Sequence, residues 1–207
     1  TSFAAACRLP VQFEWGVRSG RSLARLQRDA TALATTSVAE GFGLAFLEPW
    51  LAGRPVTGRN LPEITADFTE AGVDLSGLYD RLLVPLEWIG AERFRLRVAA
   101  AYADLLAACG RTATPDAADR ARQAACDQDR VDMGRLDEEL QADVIRRILE
   151  SPADAAAVTP AALVTAPCPA SRLEHNRRAI AAAVGLEAYG QRLLALYRRV
   201  AASRANT

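Results

Sequence analysis

Short apolar runs alternate with amphipathic segments along the first 90 residues of the chain. The pattern predicts strands at 10–15, 31–35 and 55–58, with helices at 22–29 and 44–52. Strands that alternate with helices in this way are typical of parallel βαβ units. The first 90 residues are therefore predicted to form an α/β domain with parallel strands.

Beyond residue 90 the composition shifts to alanine, arginine, leucine and aspartate, and the periodicity becomes helical. Helices are predicted at 92–109, after the Thr114-Pro115-Asp116 start signal, and at 136–149. Residues 151–170 are rich in proline and alanine with almost no charge, which suits a linker or an irregular strap. We therefore expect residues 91–207 to form an all-helical C-terminal extension.

Two helices are predicted to close the chain. Ser171 and Glu174 have the spacing of a capping box, and a break is expected near Gly185. The helix predicted at 186–201 carries an apolar stripe, which should be buried. The stripe consists of Tyr189, Leu193, Leu196, Tyr197 and Val200.

Charge and composition exclude several classes of function. Half of the 207 residues are hydrophobic and the formal net charge is zero, so there is no general electrostatic footprint for nucleic acid or an anionic membrane. All 25 basic residues are arginine, which excludes a P-loop lysine and a Schiff-base lysine. We expect no nucleic-acid partner.

Neither a membrane anchor nor a metal site is predicted. No apolar run approaches the roughly 18 residues of a transmembrane segment, and the N-terminus lacks the order of a signal peptide, so a cytoplasmic location is expected. The four cysteines are scattered, and His175 is the one histidine; we expect free thiols, no metal ligands and a surface or interdomain position for His175.

One segment carries a specific chemical signal. Two glutamates, Glu40 and Glu48, have seven residues between them, a Gly-Phe-Gly turn follows the first, and Ala52-Gly53-Arg54-Pro55-Val56 leads into a strand. An acid pair alone means little, since 25 of 207 residues are acidic, but the flanking residues make the match specific. The segment resembles the donor-binding signature of GT-B retaining glycosyltransferases of the family 4, or group 1, type.

The residues themselves agree with this resemblance. Gly41 and Gly43 permit positive φ and close backbone approach, and the first N–H groups of the helix predicted at 44–52 would face an anion such as a diphosphate. Glu40 lies on the loop and Glu48 about a turn into the helix, so the two carboxylates can serve different parts of one ligand. Carboxylates accept hydrogen bonds from vicinal hydroxyls of a ribose or a hexose.

The resemblance assigns roles to these residues. Glu48 would hold the ribose hydroxyls, and Glu40, the implied catalytic residue, would bind a hydroxyl of the transferred sugar. The alternative is that Glu48 merely complements the helix N-terminus and Glu40 is a solvated loop acid. Pro49 departs from the family pattern and disfavours helical geometry at Glu48. The implied donor-binding residues are Glu40, Gly41, Phe42, Gly43, Leu44 and Glu48.

Other segments extend the resemblance. Residues 10–16 resemble the strand end that precedes the signature, 60–64 the start of a helix beside the nucleotide, and 82–85 the last strand, so the α/β part should end near residue 90. Glu63 is expected to be a helix-start acid, and Arg59 is either a phosphate partner or a solvated residue. The last helix is either simple core or the helix that packs back across the interdomain cleft of this family.

The resemblance implies the C-terminal, Rossmann-like portion of a GT-B enzyme, at residues 1–90, with the helical extension behind it. The acceptor-binding N-terminal domain would belong to a missing segment or a partner chain, so the isolated chain is expected to be inactive. A UDP-, GDP- or ADP-linked sugar would be the co-substrate, with no other cofactor and no metal. The rival hypotheses are a non-catalytic sugar-nucleotide or glycan-binding module and a structural subunit.

Overall fold

The computed structural model describes residues 2–112, 114, 116–160, 163 and 167–205. Contacts divide the chain into two compact units. The parallel-sheet unit comprises Glu14–Asp80 and Ala161–Thr207, and the antiparallel-sheet unit comprises Thr1–Phe13 and Arg81–Pro160. Both units thus combine segments that are distant in sequence.

The fold is mixed α/β, with a small parallel sheet and a helical C-terminal region. The helices are α1 (Ser2–Ala6), α2 (Trp15–Ser19), α3 (Leu23–Asp29), α4 (Glu48–Leu51), α5 (Pro62–Glu70), α6 (Ala91–Ala108), α7 (Ala117–Ala125), α8 (Glu138–Glu150), α9 (Pro152–Val158), α10 (Ala170–Val184) and α11 (Leu186–Ala205). The strands are β1 (Leu33–Thr35), β2 (Val56–Arg59), β3 (Leu78–Tyr79), β4 (Leu83–Pro85), β5 (Cys126–Asp127) and β6 (Arg130–Asp132). Short 3₁₀ turns occur at Leu44–Phe46, Leu86–Trp88 and Met133–Arg135.

The parallel-sheet unit contains the βαβ arrangement expected from the sequence. Its strands lie in the order β1-β2-β3 and all pairs are parallel, with Leu33 opposite Val56 and Gly58 opposite Leu78. The predicted strands at 31–35 and 55–58 and the predicted helix at 22–29 are confirmed. The predicted strand at 10–15 is wrong, because Glu14 has a left-handed φ of 55° and α2 begins immediately after it.

Helix α10 completes the core of this unit. Ile180 packs with Leu47, Trp50 and the other residues of a buried cluster around β2. Asn176 is fully buried, and its side chain exchanges hydrogen bonds with the backbone of Asp74: the Asp74 amide donates to Oδ1 at 2.7 Å, and Nδ2 donates to the Asp74 carbonyl at 2.9 Å. Helix α10 lies in the segment that was predicted to be a separate extension. It is nevertheless part of the core built around the parallel strands.

An ion pair between Arg172 and Asp74 also holds α10 to the rest of the parallel-sheet unit. Arg172 Nε lies 2.9 Å from Asp74 Oδ2, and its guanidinium lies over the ring of Trp50 at 5.6 Å. Burial raises the pKa of Asp74, but hydrogen bonds from Ser76 and the charges of Arg172 and His175 outweigh it and lower the pKa below its ordinary value. The ionised carboxylate therefore stabilises the folded state at neutral pH, and this contribution is lost as the pH falls through the lowered folded pKa.

The antiparallel-sheet unit differs from the sequence prediction. Its strands lie in the order β4-β6-β5, with Val84 opposite Val131, and both of these valines are completely buried. The run at 82–85, expected to be the last parallel strand, thus pairs antiparallel with β6, and the extension is not all-helical. A strand such as β6, with one valine between arginine and aspartate, is too short to give a periodic signal.

The helices of the extension follow the predicted ranges where the periodicity is strong. The predictions at 92–109 and 136–149 are confirmed by α6 and α8. Asp116 occupies the N-cap position of α7, and Pro115 lies outside the described residues.

The linker predicted at 151–170 is wrong for its first part, because Ser151 caps α9 by accepting a hydrogen bond from the Asp154 amide. Residues 161, 162 and 164–166 of that range lie outside the described residues.

The C-terminal helix pair corrects two further predictions. The break near Gly185 is confirmed between α10 and α11, but the capping box is wrong, since Pro169 holds the N-cap position and Ser171 lies inside the first turn. Four of the five residues of the apolar stripe of α11 are exposed, with Tyr189 at 55% and Tyr197 at 63%, and Leu193 is half-buried. An amphipathic period shows which face favours burial, but a covering surface must come from tertiary structure.

Among the described residues, no helix has the length and apolar character needed to cross a membrane.

The acid on the exposed face of α10 provides a pH test. Hydrogen bonds from Arg177 and Arg178 lower the pKa of Glu174 to about 2. The folded pKa lies below the unfolded one, so this stabilisation is complete above about pH 4.5 and is lost as the pH falls towards 2. We expect Arg177→Ala to raise the Glu174 pKa, measured by NMR titration of the carboxyl carbon.

Arg192→Ala is the control for this titration, because Arg192 donates to the Ala183 carbonyl rather than to Glu174. The Glu174 midpoint should not move in this variant. A wild-type midpoint at the ordinary glutamate value would contradict the arginine pairing.

Candidate functional site

The loop that carries Glu40 lies at the carboxyl edge of the parallel sheet, together with the polar residues Asn60 and Asp80. The loop with Glu40 follows β1, Asn60 follows β2, and Asp80 follows β3. Because the three strands are parallel, the segments that leave their carboxyl ends emerge at the same edge. In open α/β sheets this edge is where ligands bind.

Gly43 holds the loop against α5. Its φ is 70°, and a Cβ atom at this position would lie 2.3 Å from Ile64 Cγ2 and 3.0 Å from Phe68 Cε2. The position thus requires glycine for both its backbone conformation and its close approach. Gly41 differs, since its φ lies outside the positive range and its Cβ would meet nothing within 4 Å. The backbone freedom expected at both glycines is used at Gly43.

The single helix predicted at 44–52 is wrong. The chain forms a 3₁₀ turn at Leu44–Phe46, breaks at Leu47, and starts α4 at Glu48, which spans four residues. Pro49 explains the break, because proline has no N–H to donate and fits only the first turn of a helix. Glu48 is therefore the first residue of α4 rather than a residue one turn into a helix, and its side chain is exposed.

Glu40 is half-buried and has a defined partner. The Ser37 hydroxyl donates a hydrogen bond of 2.8 Å to Glu40 Oε1. The Phe42 side chain is 86% exposed and the Leu44 side chain 55% exposed. Both side chains are therefore available to solvent.

An asparagine network at the same edge was not identified as a site element from the sequence. Asn60 Nδ2 donates to Asp80 Oδ1 at 2.8 Å, the Thr65 hydroxyl donates to Asn60 Oδ1 at 2.6 Å, and the Asn60 amide donates to the Tyr79 carbonyl at 2.7 Å. Asn60 therefore connects the ends of β2 and β3 with α5. An asparagine between a strand and a proline-led helix signals a turn, but the pairing with Asp80 spans 20 residues and has no local signal.

The other candidates near this edge have the following positions. Arg59 is the half-buried last residue of β2 and lies opposite Tyr79 in the register. Glu63 is exposed in the first turn of α5, directly after Pro62, and the prediction of a helix-start acid is confirmed. His175 is exposed and its Nε2 lies 2.8 Å from the Gly72 carbonyl oxygen, which confirms its surface position.

A second acidic pattern, Asp127-Gln128-Asp129, spans the last residue of β5 and the turn to β6. Asp127 Oδ2 forms an ion pair of 2.7 Å with Arg81, so this carboxylate fastens the hairpin to the segment before β4. In the described part of the chain, no three histidine, cysteine or acidic side chains form a group that could hold a metal ion. Cys7, Cys109, Cys126 and Cys168 are free thiols.

A hollow of about 610 Å³ in the parallel-sheet unit lies away from the loop that carries Glu40 and Gly43, here called the signature loop. It is lined by the end of α5 and by Ala179, Ala182 and charged residues of α10. Its carboxylate, Glu174, is neutralised by Arg177 and Arg178. The signature loop is a better candidate than this hollow, because it leaves the carboxyl edge of the parallel sheet and the hollow is lined by α5 and α10.

Comparisons of the chain with protein-family models, with curated proteins and with solved structures found no match.

Proposed function

We propose that this chain is the donor-binding portion of a GT-B retaining glycosyltransferase that uses a nucleotide sugar. The observation that carries the proposal is the position of the signature loop. It leaves the carboxyl edge of a three-stranded parallel sheet, Gly43 packs it against α5, and Ser37 donates a hydrogen bond to Glu40. This edge is where a Rossmann-like domain binds a nucleotide.

The proposed chemistry is stabilisation of charge. In a retaining transfer without a protein nucleophile, the acceptor hydroxyl attacks from the face of the departing nucleotide diphosphate, and preorganised dipoles stabilise the oxocarbenium-like sugar. Glu40 would bind a hydroxyl of the transferred sugar, and Glu48 would bind the ribose diol. The backbone N–H groups at the start of the 3₁₀ turn would face the diphosphate.

The short α4 changes how the diphosphate charge would be met. A four-residue helix has little dipole to offer, so we propose that arginine supplies more of the compensation, with Arg59 at the end of β2 as the candidate. No divalent metal is part of this proposal, because the signature has no Asp-x-Asp pair to present one. An acceptor-binding domain, on another segment or chain, would complete the enzyme in the cytoplasm.

The roles of the two glutamates can be separated. We expect Glu48→Ala to weaken binding of the bare nucleoside diphosphate to this chain by about 1.5 to 3 kcal/mol, the range for a hydrogen bond to a charged group. Glu40→Ala should leave that affinity nearly unchanged but lower turnover of the sugar donor by the complete enzyme. Calorimetry with UDP, GDP and ADP measures the first effect, and steady-state kinetics the second.

Glu63→Ala is the matched control, since Glu63 is an exposed acid in the first turn of α5. It should change neither nucleotide affinity nor turnover. Equal losses of nucleotide affinity in the Glu40 and Glu48 variants, or no loss in either, would contradict the assignment. Nucleotide-sugar binding without transfer by the complete protein would instead favour a binding module.

A further inference from the structure

The hydroxyl of Ser37 has a specific relation to the carboxylate proposed to bind the sugar. It donates to Glu40 Oε1 at 2.8 Å from a position three residues earlier in the same loop. Both side chains are half-buried, so water competes less for this bond than at a fully exposed pair. With Oε1 engaged by serine, Oε2 is left to accept from a ligand hydroxyl.

The loop is fixed to the rest of the unit both before Ser37 and after Glu40. Thr35, two residues before Ser37, is the buried last residue of β1, and it lies opposite Gly58. Gly43, three residues after Glu40, packs against Ile64 and Phe68 of α5. Between these anchors, the Ser37 hydroxyl donates a side-chain hydrogen bond to the Glu40 carboxylate.

We infer that Ser37 is a positioning residue that orients Glu40 towards the transferred sugar. This inference rests on the proposed function, because it gives Ser37 a role only through the sugar contact of Glu40. Catalysis is sensitive to such orientation, since a displacement of about 1 Å can lower a rate by about 100-fold. In this role Ser37 would act on the sugar only through Glu40, so it should not contribute to binding of the bare nucleoside diphosphate.

The test is a set of five variants in the complete glycosyltransferase. Ser37→Ala should lower kcat for the sugar donor by about 10-fold to 100-fold. The affinity of this chain for the bare nucleoside diphosphate, measured by calorimetry, and the midpoint of thermal unfolding should both be unchanged. Ser37→Thr keeps the hydroxyl and should restore most of the turnover.

The coupling to Glu40 is measured with the double variant. If Ser37 acts through Glu40, adding Ser37→Ala to Glu40→Ala should lower turnover no further, because the group to be oriented is already gone. Ser171→Ala is the matched control, a serine in the same unit on the exposed start of α10, and it should behave as the unsubstituted protein.

The failures of the two proposals are distinguishable. If the unsubstituted complete protein transfers no sugar and binds no nucleotide sugar, the proposed function fails and the role of Ser37 fails with it. If transfer is present but Ser37→Ala retains full turnover, or if its effect is undiminished in the Glu40→Ala background, the positioning role alone is overturned. A lower unfolding midpoint together with reduced nucleotide affinity would also overturn it, because Ser37 would then be a structural residue of the loop.

Discussion

Replacement of Gly58 by alanine is expected to lower the free energy of unfolding by about 2 to 6 kcal/mol. The φ of Gly58 is 116°, and a Cβ atom there would lie 2.0 Å from the carbonyl oxygen of Thr35 on β1. Backbone atoms of a paired strand cannot move aside as a flexible side chain can, so β1 and β2 must separate. The same separation would displace the loop that leaves β1 towards Glu40, so the proposed donor binding should weaken as well.

Gly53→Ala is the matched control for this effect. Gly53 also has a positive φ, 72°, but a Cβ atom there would meet nothing within 4 Å. Only the cost of the left-handed conformation applies, about 1 to 2 kcal/mol. Urea denaturation followed by circular dichroism measures both variants. Similar losses in the two variants would mean that the close approach of β1 and β2 at Gly58 is wrong.

Replacement of Asn176 by alanine is expected to lower the free energy of unfolding by about 2 to 4 kcal/mol. The side chain is completely buried, and its two hydrogen bonds to Asp74 join α10 to the segment between α5 and β3. Alanine removes both bonds and leaves the amide and carbonyl of Asp74 without these partners. Removal of one partner from a buried pair is more damaging than the net value of the bond suggests.

The control on the same helix is Arg178→Ala. The Arg178 side chain is 76% exposed, and its ion pair with Glu174 is a surface pair of small value. We expect a change within about 0.5 kcal/mol in urea denaturation. If Asn176→Ala is as mild as this control, α10 does not depend on Asn176 for its attachment to the parallel-sheet unit.

The sequence predicted the parallel sheet well where apolar runs are long enough to be recognised. The runs at 31–35 and 55–58 each place a strand in the sheet, and the helix starts at Ser22 and Pro62 were visible from their residues. The run at 82–85 also forms a strand, but its partner is β6 rather than a parallel neighbour. A strand's own residues give its tendency to extend, while the choice of partner depends on the rest of the chain.

The candidate site was predictable in part for the same reason. The glutamates and Gly43 were visible because they lie within one local pattern. The sequence predicts that Pro49 disfavours helical geometry at Glu48, and the structure shows a break at Leu47 between the 3₁₀ turn and α4. The Asn60 and Asp80 contact was not predictable, because neither residue has a local signal for the other.

By itself, the sequence determined the α/β character of the chain, the positions of the strongly periodic helices and the loop that carries Glu40 and Gly43, because these depend on contacts within a few residues. Only the tertiary structure decided that α10 returns to Asp74, 102 residues from Asn176, and that β4 joins a hairpin rather than the parallel sheet. It also decided that most of the apolar stripe of α11 is exposed. The physical reason is that burial and strand pairing are made between segments distant in the chain, and a local pattern records a preference for such contacts without specifying the partner.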